Sequence, residues 1–228
     1  MKWVKLFLKA IAKLFRPCTR RQVPKKQKQD EKLVFSFKKG MLGVDISHHN
    51  QKVDLSVLAR NVDFIYMKAT EGATYVSASY VSRAKQLKKL NIPWGAYHYY
   101  RVNRTPVEQA RHFLDYIDTN SGLPPVLDIE EINNNFKPQH RKDLIIFLRI
   151  IETKTKITPV IYTGYYFARD IFKPTDEFSK YKLWLPWYTS DFGAVRTPKP
   201  WENIAIWQYT RTGTIKGVEG SVDINKVV

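Results

Sequence analysis

From about residue 41 to its end, the chain repeats one pattern: a short apolar run of strand length, then a stretch with helical spacing. The apolar runs fall at 41–47, 63–69, 93–100, 124–130, 158–163, 183–188, 204–209 and 222–225. Helical spacing fills 77–90, 106–119, 139–154 and 164–173, with Pro106 and Pro138 placed where a helix can begin. Strands alternating with helices predict parallel βαβ units. Eight strands with helices in the first five gaps predict an α/β fold, a modified TIM-like barrel of the form (β/α)5(β)3 over residues 41–228.

Polar residues recur at the ends of these runs. Asp45 closes the first, Lys68 the second, His98 the third, and Asp128 with Glu130 the fourth. Tyr162 follows on the fifth, Trp187 or Tyr188 on the sixth, Gln208 and Tyr209 on the seventh, and Asp223 lies in the eighth. In a parallel barrel the C-terminal strand ends meet at one face, where barrel enzymes carry their sites. Side chains alternate along a strand, so Asp128 and Glu130 share a face while Leu127 and Ile129 share the other. Two carboxyls this close do not ionise independently, and one keeps its proton to higher pH, as a general acid requires. Glycoside hydrolysis needs such a donor and a second carboxylate to meet positive charge at the sugar. A D-x-E alone is more often just a strand end capping the next helix. Asp45 and Asp223, each between apolar neighbours, turn the pair into a four-carboxylate cluster and favour chemistry. A cation site is the competing reading of such a cluster.

Composition narrows the candidates. The sequence holds 6 Trp, 13 Tyr and 12 Phe, an aromatic share that suits a core or a sugar site, since sugar rings present apolar faces. Tyr99, Tyr162, Trp187 and Trp207 are the candidate cleft aromatics. Lys68 and Glu71, in the second loop, are candidate substrate contacts, though Glu71 reads equally well as solvated. The single cysteine, Cys18, excludes an intramolecular disulfide and a cysteine metal site, and the five histidines lack the H-E-x-x-H spacing. No metal or other cofactor is expected.

The net charge of +17 is uneven: residues 1–40 carry 13 Lys/Arg against Asp30 and Glu31, a surplus of +11. On a helical wheel Lys2, Lys5, Lys9, Lys13 and Arg16 lie opposite Trp3, Leu6, Phe7, Ile11, Leu14 and Phe15, the pattern of an interfacial amphipathic helix. An atypical signal or a disordered basic extension are the alternatives, and residues 17–39 read as a linker. A basic tail on a moderately charged domain suits an anionic membrane or wall polymer better than specific nucleic acid.

The motifs GVDIS (43–47), KATEG (68–72), GAYHYY (95–100), VLDIE (126–130), WQYT (207–210) and VDIN (222–225) together resemble glycoside hydrolase family 25, the Chalaropsis-type lysozymes. The resemblance implies a flattened barrel of eight strands and about five helices. It also implies cleavage of the β-1,4 bond between N-acetylmuramic acid and N-acetylglucosamine in peptidoglycan. It implies Glu130 as proton donor, and Asp128 as nucleophile or as the carboxylate that orients the acetamido group. Asp45 and Asp223 carry over as supporting site residues. A secreted or envelope-associated monomer is expected, with residues 1–40 a candidate anchor. A non-catalytic wall- or glycan-binding module on the same barrel is the alternative, disfavoured by the full carboxylate set.

Overall fold

The structure, a computed structural model, describes residues 36–130, 136–172 and 176–228. The expected amphipathic helix and most of the expected linker lie outside these residues. Strands β1 (Leu42–Ile46), β2 (Phe64–Glu71), β3 (Tyr75–Val76), β4 (Trp94–Tyr99) and β5 (Val126–Asp128) precede β6 (Val160–Tyr162), β7 (Lys182–Pro186), β8 (Ile206–Gly213) and β9 (Val222–Val227). Helices α1 (Leu55–Leu58), α2 (Tyr80–Leu87), α3 (Pro106–Leu114), α4 (Pro138–Thr155) and α5 (Tyr165–Ile171) occupy the first five connections between barrel strands. The sheet runs β1-β9-β8-β7-β6-β5-β4-β2 and closes through β1–β2, while β3 is a short hairpin arm on β2. This is the expected (β/α)5(β)3 barrel, with eight strands in the closed ring and, among the described residues, five α-helices.

One expectation needs correction. β9 runs antiparallel to both β1 and β8, so the barrel is not parallel throughout. The connection from β8 to β9 contains no helix that could carry the chain back across the barrel, and a hairpin-like return reverses its direction.

Local sequence explains the elements. Asp54 caps α1 by accepting from the backbone N–H groups of Ser56 and Val57 at 2.9 and 3.0 Å. Thr105 caps α3, with Pro106 in the first turn where a missing N–H does no harm. α4 stops at Lys156, which takes a left-handed conformation at φ 61°. Inside the barrel, Phe64, Tyr66, Val126, Val160, Trp184, Ile206 and Val227 form the packed core. Their bulk demands small neighbours: a Cβ at residue 95 would lie 2.6 Å from the Tyr66 ring, so Gly95 leaves the space that this ring fills. On the outer side His98 stacks on Phe147 of α4 at 5.1 Å and lies 5.4 Å from Phe113 of α3. The chain is part of the barrel before residue 41, because Phe37 packs edge-on against Phe64 at 5.9 Å and Gly40 N donates to Val227 O at 2.8 Å. Among the described residues no helix is long and apolar enough to cross a membrane.

Candidate active site

A cavity of about 280 Å³ opens at the mouth formed by the C-terminal ends of the parallel strands. Asp45, Asp128, Glu130 and Asp223 line it, with Tyr97, Tyr162, Trp184, Tyr188, Gln208 and Arg211. Asp128 stands in register with Tyr162 of β6, and Tyr162 with Trp184 of β7, so these side chains form one inward layer. Asp45 and Asp223 face each other across the antiparallel β1–β9 pair. The reversal of β9 puts Asp223, near the start of its strand, beside Asp45, near the end of its own.

Two amides hold Asp45. Gln208 Nε2 and Asn225 Nδ2 donate to Asp45 Oδ2 at 2.9 and 2.8 Å. Each amide is itself oriented: Trp184 Nε1 donates to Asn225 Oδ1 at 2.7 Å, and the hydroxyls of Tyr162 and Tyr188 donate to Gln208 Oε1 at 3.1 and 3.0 Å. Asp128 lacks such support. Its Oδ1 is buried without a hydrogen-bond partner, and the residue is only 6% exposed.

Burial dominates the electrostatics. It raises the Asp128 carboxyl well above the usual range, and Glu130 and Asp45 add like-charge repulsion, which Lys68 opposes. Glu130 stands exposed at the rim, yet the enclosing walls still remove enough water to raise its pKa; Asp45 adds to the rise and Lys68 opposes it. Burial raises Asp45 as well, against its amide donors. Asp223 is pushed up to about 7 by burial, then by Asp45 and Glu130, with Arg211 acting the other way. All four carboxyls therefore hold their protons more tightly than exposed ones do, and the closeness of Asp128 to Glu130 adds to that for Asp128. Among the described residues, no grouping of His, Cys, Asp and Glu is arranged to hold a metal ion.

The sequence pattern of glycosyl hydrolases family 25 matches residues 44–218. The chain belongs to this family. It is a glycoside hydrolase of the lysozyme type. It is 32% identical to the uncharacterized protein YegX of Escherichia coli O157:H7 over 191 residues, covering 80% of this chain and 68% of that one. Lysozyme M1 of Streptomyces globisporus is 29% identical over 201 residues, covering 82% and 67%. A bacterial lysozyme of Streptomyces coelicolor superposes with a TM-score of 0.74 at 28% identity, covering 82% of this chain and 92% of that one. In this family 25 chain, the residues expected at the site divide into two groups.

Asp45, Asp128, Glu130, Asp223 and Tyr162 line the cavity; Lys68, Glu71, Tyr99, Trp187 and Trp207 do not. Trp207 alternates with inward Gln208 and so turns outward, where it is buried against Phe192 and Tyr209 at 5.2 and 5.4 Å and donates its indole N–H to Trp187 O at 2.7 Å. Trp187 packs edge-on against Tyr165 at 5.2 Å. Lys68 and Glu71 pair with each other at 2.6 Å. His98 is structural: it is fully buried, bonded to Thr70 at 2.8 Å and held near Gln109, and burial lowers its pKa to about 3. Sequence reasoning missed the roles of Gln208, Asn225 and Arg211. Gln208 and Asn225 carry a legible clue, since both sit in phase with inward residues of their strands. Arg211 is out of phase with Gln208 and faces the cavity only because the β8–β9 pairing slips between Gln208 and Thr210.

Proposed function

We propose that the chain is a muramidase, hydrolysing the β-1,4 bond between N-acetylmuramic acid and N-acetylglucosamine in peptidoglycan. Glu130 serves as general acid and Asp128 as the second carboxylate. The observation that carries this reading is the meeting of Asp128 and Glu130, from one strand end, with Asp45 and Asp223 around a single cavity. Glu130 has rim exposure, which lets it exchange protons with water, and a raised pKa, which keeps a proton available. It protonates the glycosidic oxygen as the C–O bond breaks. Asp128, deeper in the site, meets the positive charge at the anomeric carbon, directly as nucleophile or by orienting the substrate acetamido group. Glu130 then accepts a proton from the incoming water. Asp45, fixed by Gln208 and Asn225, and Asp223 shape the field around the pair. Tyr162 and the more exposed Tyr188 are the tyrosines on which a sugar ring at the cavity mouth would rest.

Membership in a family of cell-wall hydrolases supports an activity at the envelope or outside the cell. The basic segment 1–40 is the candidate contact with anionic membrane or wall polymer. Within the barrel unit, Phe37 packs against Phe64, the first residue of β2.

Peptidoglycan digestion followed by mass analysis of the products tests the assignment. Glu130→Gln, with an unchanged circular dichroism spectrum, is expected to lower turnover by roughly 10²- to 10⁴-fold. Wild-type products with a muramic acid reducing end fit the proposed bond. Retained turnover in the variant rejects Glu130 as the acid.

A further inference from the structure

Lys68 and Glu71 are three residues apart on β2, a spacing that puts side chains on opposite faces of a regular strand. The β2–β4 pairing slips between them: Lys68 lies opposite Tyr97, Thr70 opposite His98, and Glu71 opposite Tyr99. The bulge turns Thr70 out to His98 and brings Glu71 to the same face as Lys68. Lys68 Nζ then donates to Glu71 Oε2 at 2.6 Å, while Arg101 Nε and Nη2 grip Oε1 at 2.9 and 2.6 Å. The Lys68 ammonium sits 4.7 Å from the centre of the Tyr99 ring, whose other cationic neighbour is Arg101 at 4.7 Å. Tyr99 is the register partner of Asp128. With its side chain only 11% exposed, Lys68 is held by Glu71 and Tyr99, with the Tyr75 ring centre at 5.8 Å, rather than free to reach for a ligand.

We propose that Glu71 and Arg101 form a clamp that holds the Lys68 ammonium against Tyr99 as the fixed counter-charge of the Asp128 carboxylate. Lys68 is thus a positioning residue for the reaction and Glu71 its anchor, in place of the substrate contacts expected from sequence. The inference rests on the proposed roles of Asp128 and Glu130. It accounts for an otherwise unsupported group, since Asp128 Oδ1 has no hydrogen-bond partner and burial opposes its charge. Lys68 is the cation that favours ionisation of both Asp128 and Glu130. The other titratable or charged groups around it are Asp45 of β1, His48 of the following loop, Tyr75 of β3, Tyr97 and Tyr99 of β4, and Arg101 beyond β4.

The test is a carboxyl 13C NMR titration of the full chain, with the pH dependence of kcat/KM on peptidoglycan fragments measured alongside. Lys68→Met is expected to move the Asp128–Glu130 titration up by about one pH unit. Lys68→Arg keeps the cation and is expected to return most of that shift. Arg101→Lys keeps charge but loses the two-point grip, and is expected to move the titration the same way by less. The acid limb of kcat/KM is expected to follow, with KM unchanged. Titrations of Lys68→Met and Arg101→Lys that superimpose on wild type overturn the clamp. So does a raised KM with an unmoved acid limb, the mark of a direct substrate contact. If Lys68→Met does not fold, Arg101→Lys carries the titration. Should the wild type hydrolyse no peptidoglycan, the functional reading falls, while the titration still decides the clamp.

Discussion

Replacing Asp223 with asparagine should make the protein more stable and less active, and the gain should depend on pH. The native carboxyl titrates near 7 against an ordinary value of 3.8, so the folded state disfavours its charge. The unfolded chain releases this proton near pH 4 and the folded chain only near 7. Ionisation therefore costs the native state nothing below about pH 4, progressively more between 4 and 7, and a constant amount above. Taken at face value, the difference is about 4 kcal/mol at 1.36 kcal/mol per pH unit. Asp223 is partly exposed at the mouth, so solvent screening reduces this to about 1–2 kcal/mol. Asparagine keeps the shape and carries no charge at any pH. Urea unfolding at pH 4.5, 6 and 8 should show Asp223→Asn gaining little at 4.5 and about 1–2 kcal/mol at 8, with turnover reduced. A pH-independent difference, or a variant less stable than wild type at pH 8, would refute the electrostatic account.

Three further outcomes follow from other contacts. Asn225→Leu removes the acceptor of the Trp184 indole and one donor to Asp45, and should destabilise by roughly 3 kcal/mol in urea titrations; an unchanged midpoint would mean that water replaces both bonds. Gly95→Ala forces a methyl group to within 2.6 Å of the Tyr66 ring and 2.8 Å of Leu123 Cβ, and should lower the unfolding temperature through a loss of about 1–3 kcal/mol. His98, with its pKa lowered to about 3, should show neutral imidazole 15N shifts at pH 5, and should cost stability as pH falls from 6.5 toward 3 because only the unfolded ring takes up a proton there; protonated shifts at pH 5 would contradict its buried setting.

The part of the site written in strand alternation was legible in the sequence. Asp128 falls in phase with Val126, which belongs to the barrel core, and so faces inward. The same rule should have excluded Trp207, which alternates with Gln208 and cannot share its face. Two of the three slips in register bear on the site, and these were not legible. At Lys68/Thr70 and at Gln208/Thr210 one extra residue reverses the alternation, bringing Glu71 inward in one case and Arg211 in the other. Neither site carries a glycine or proline that would announce a bulge. The direction of β9 was also hidden, because VDIN reads as a strand whichever way it runs. The short β3 arm escaped notice because two residues carry no period.

That direction decides what kind of site the barrel can hold. Had β9 run parallel to its neighbours, Asp223 near its start would lie at the floor with Phe64, and the mouth would have three carboxyls instead of four. Antiparallel closure instead sets Asp223 opposite Asp45, adding negative charge where the barrel already encloses Asp128 and Glu130. The folded protein bears the repulsion, as the raised pKa of Asp223 records. In the proposed reaction the sugar develops positive charge at the anomeric carbon, and the same carboxyls then face an opposite charge in a partly dehydrated cavity. Interactions that strengthen only as that charge appears lower the barrier without tightening ground-state binding. Stability lost in the free enzyme and stabilisation of the transition state are therefore one electrostatic arrangement met by two different charges. A substitution that relieves the first should therefore weaken the second.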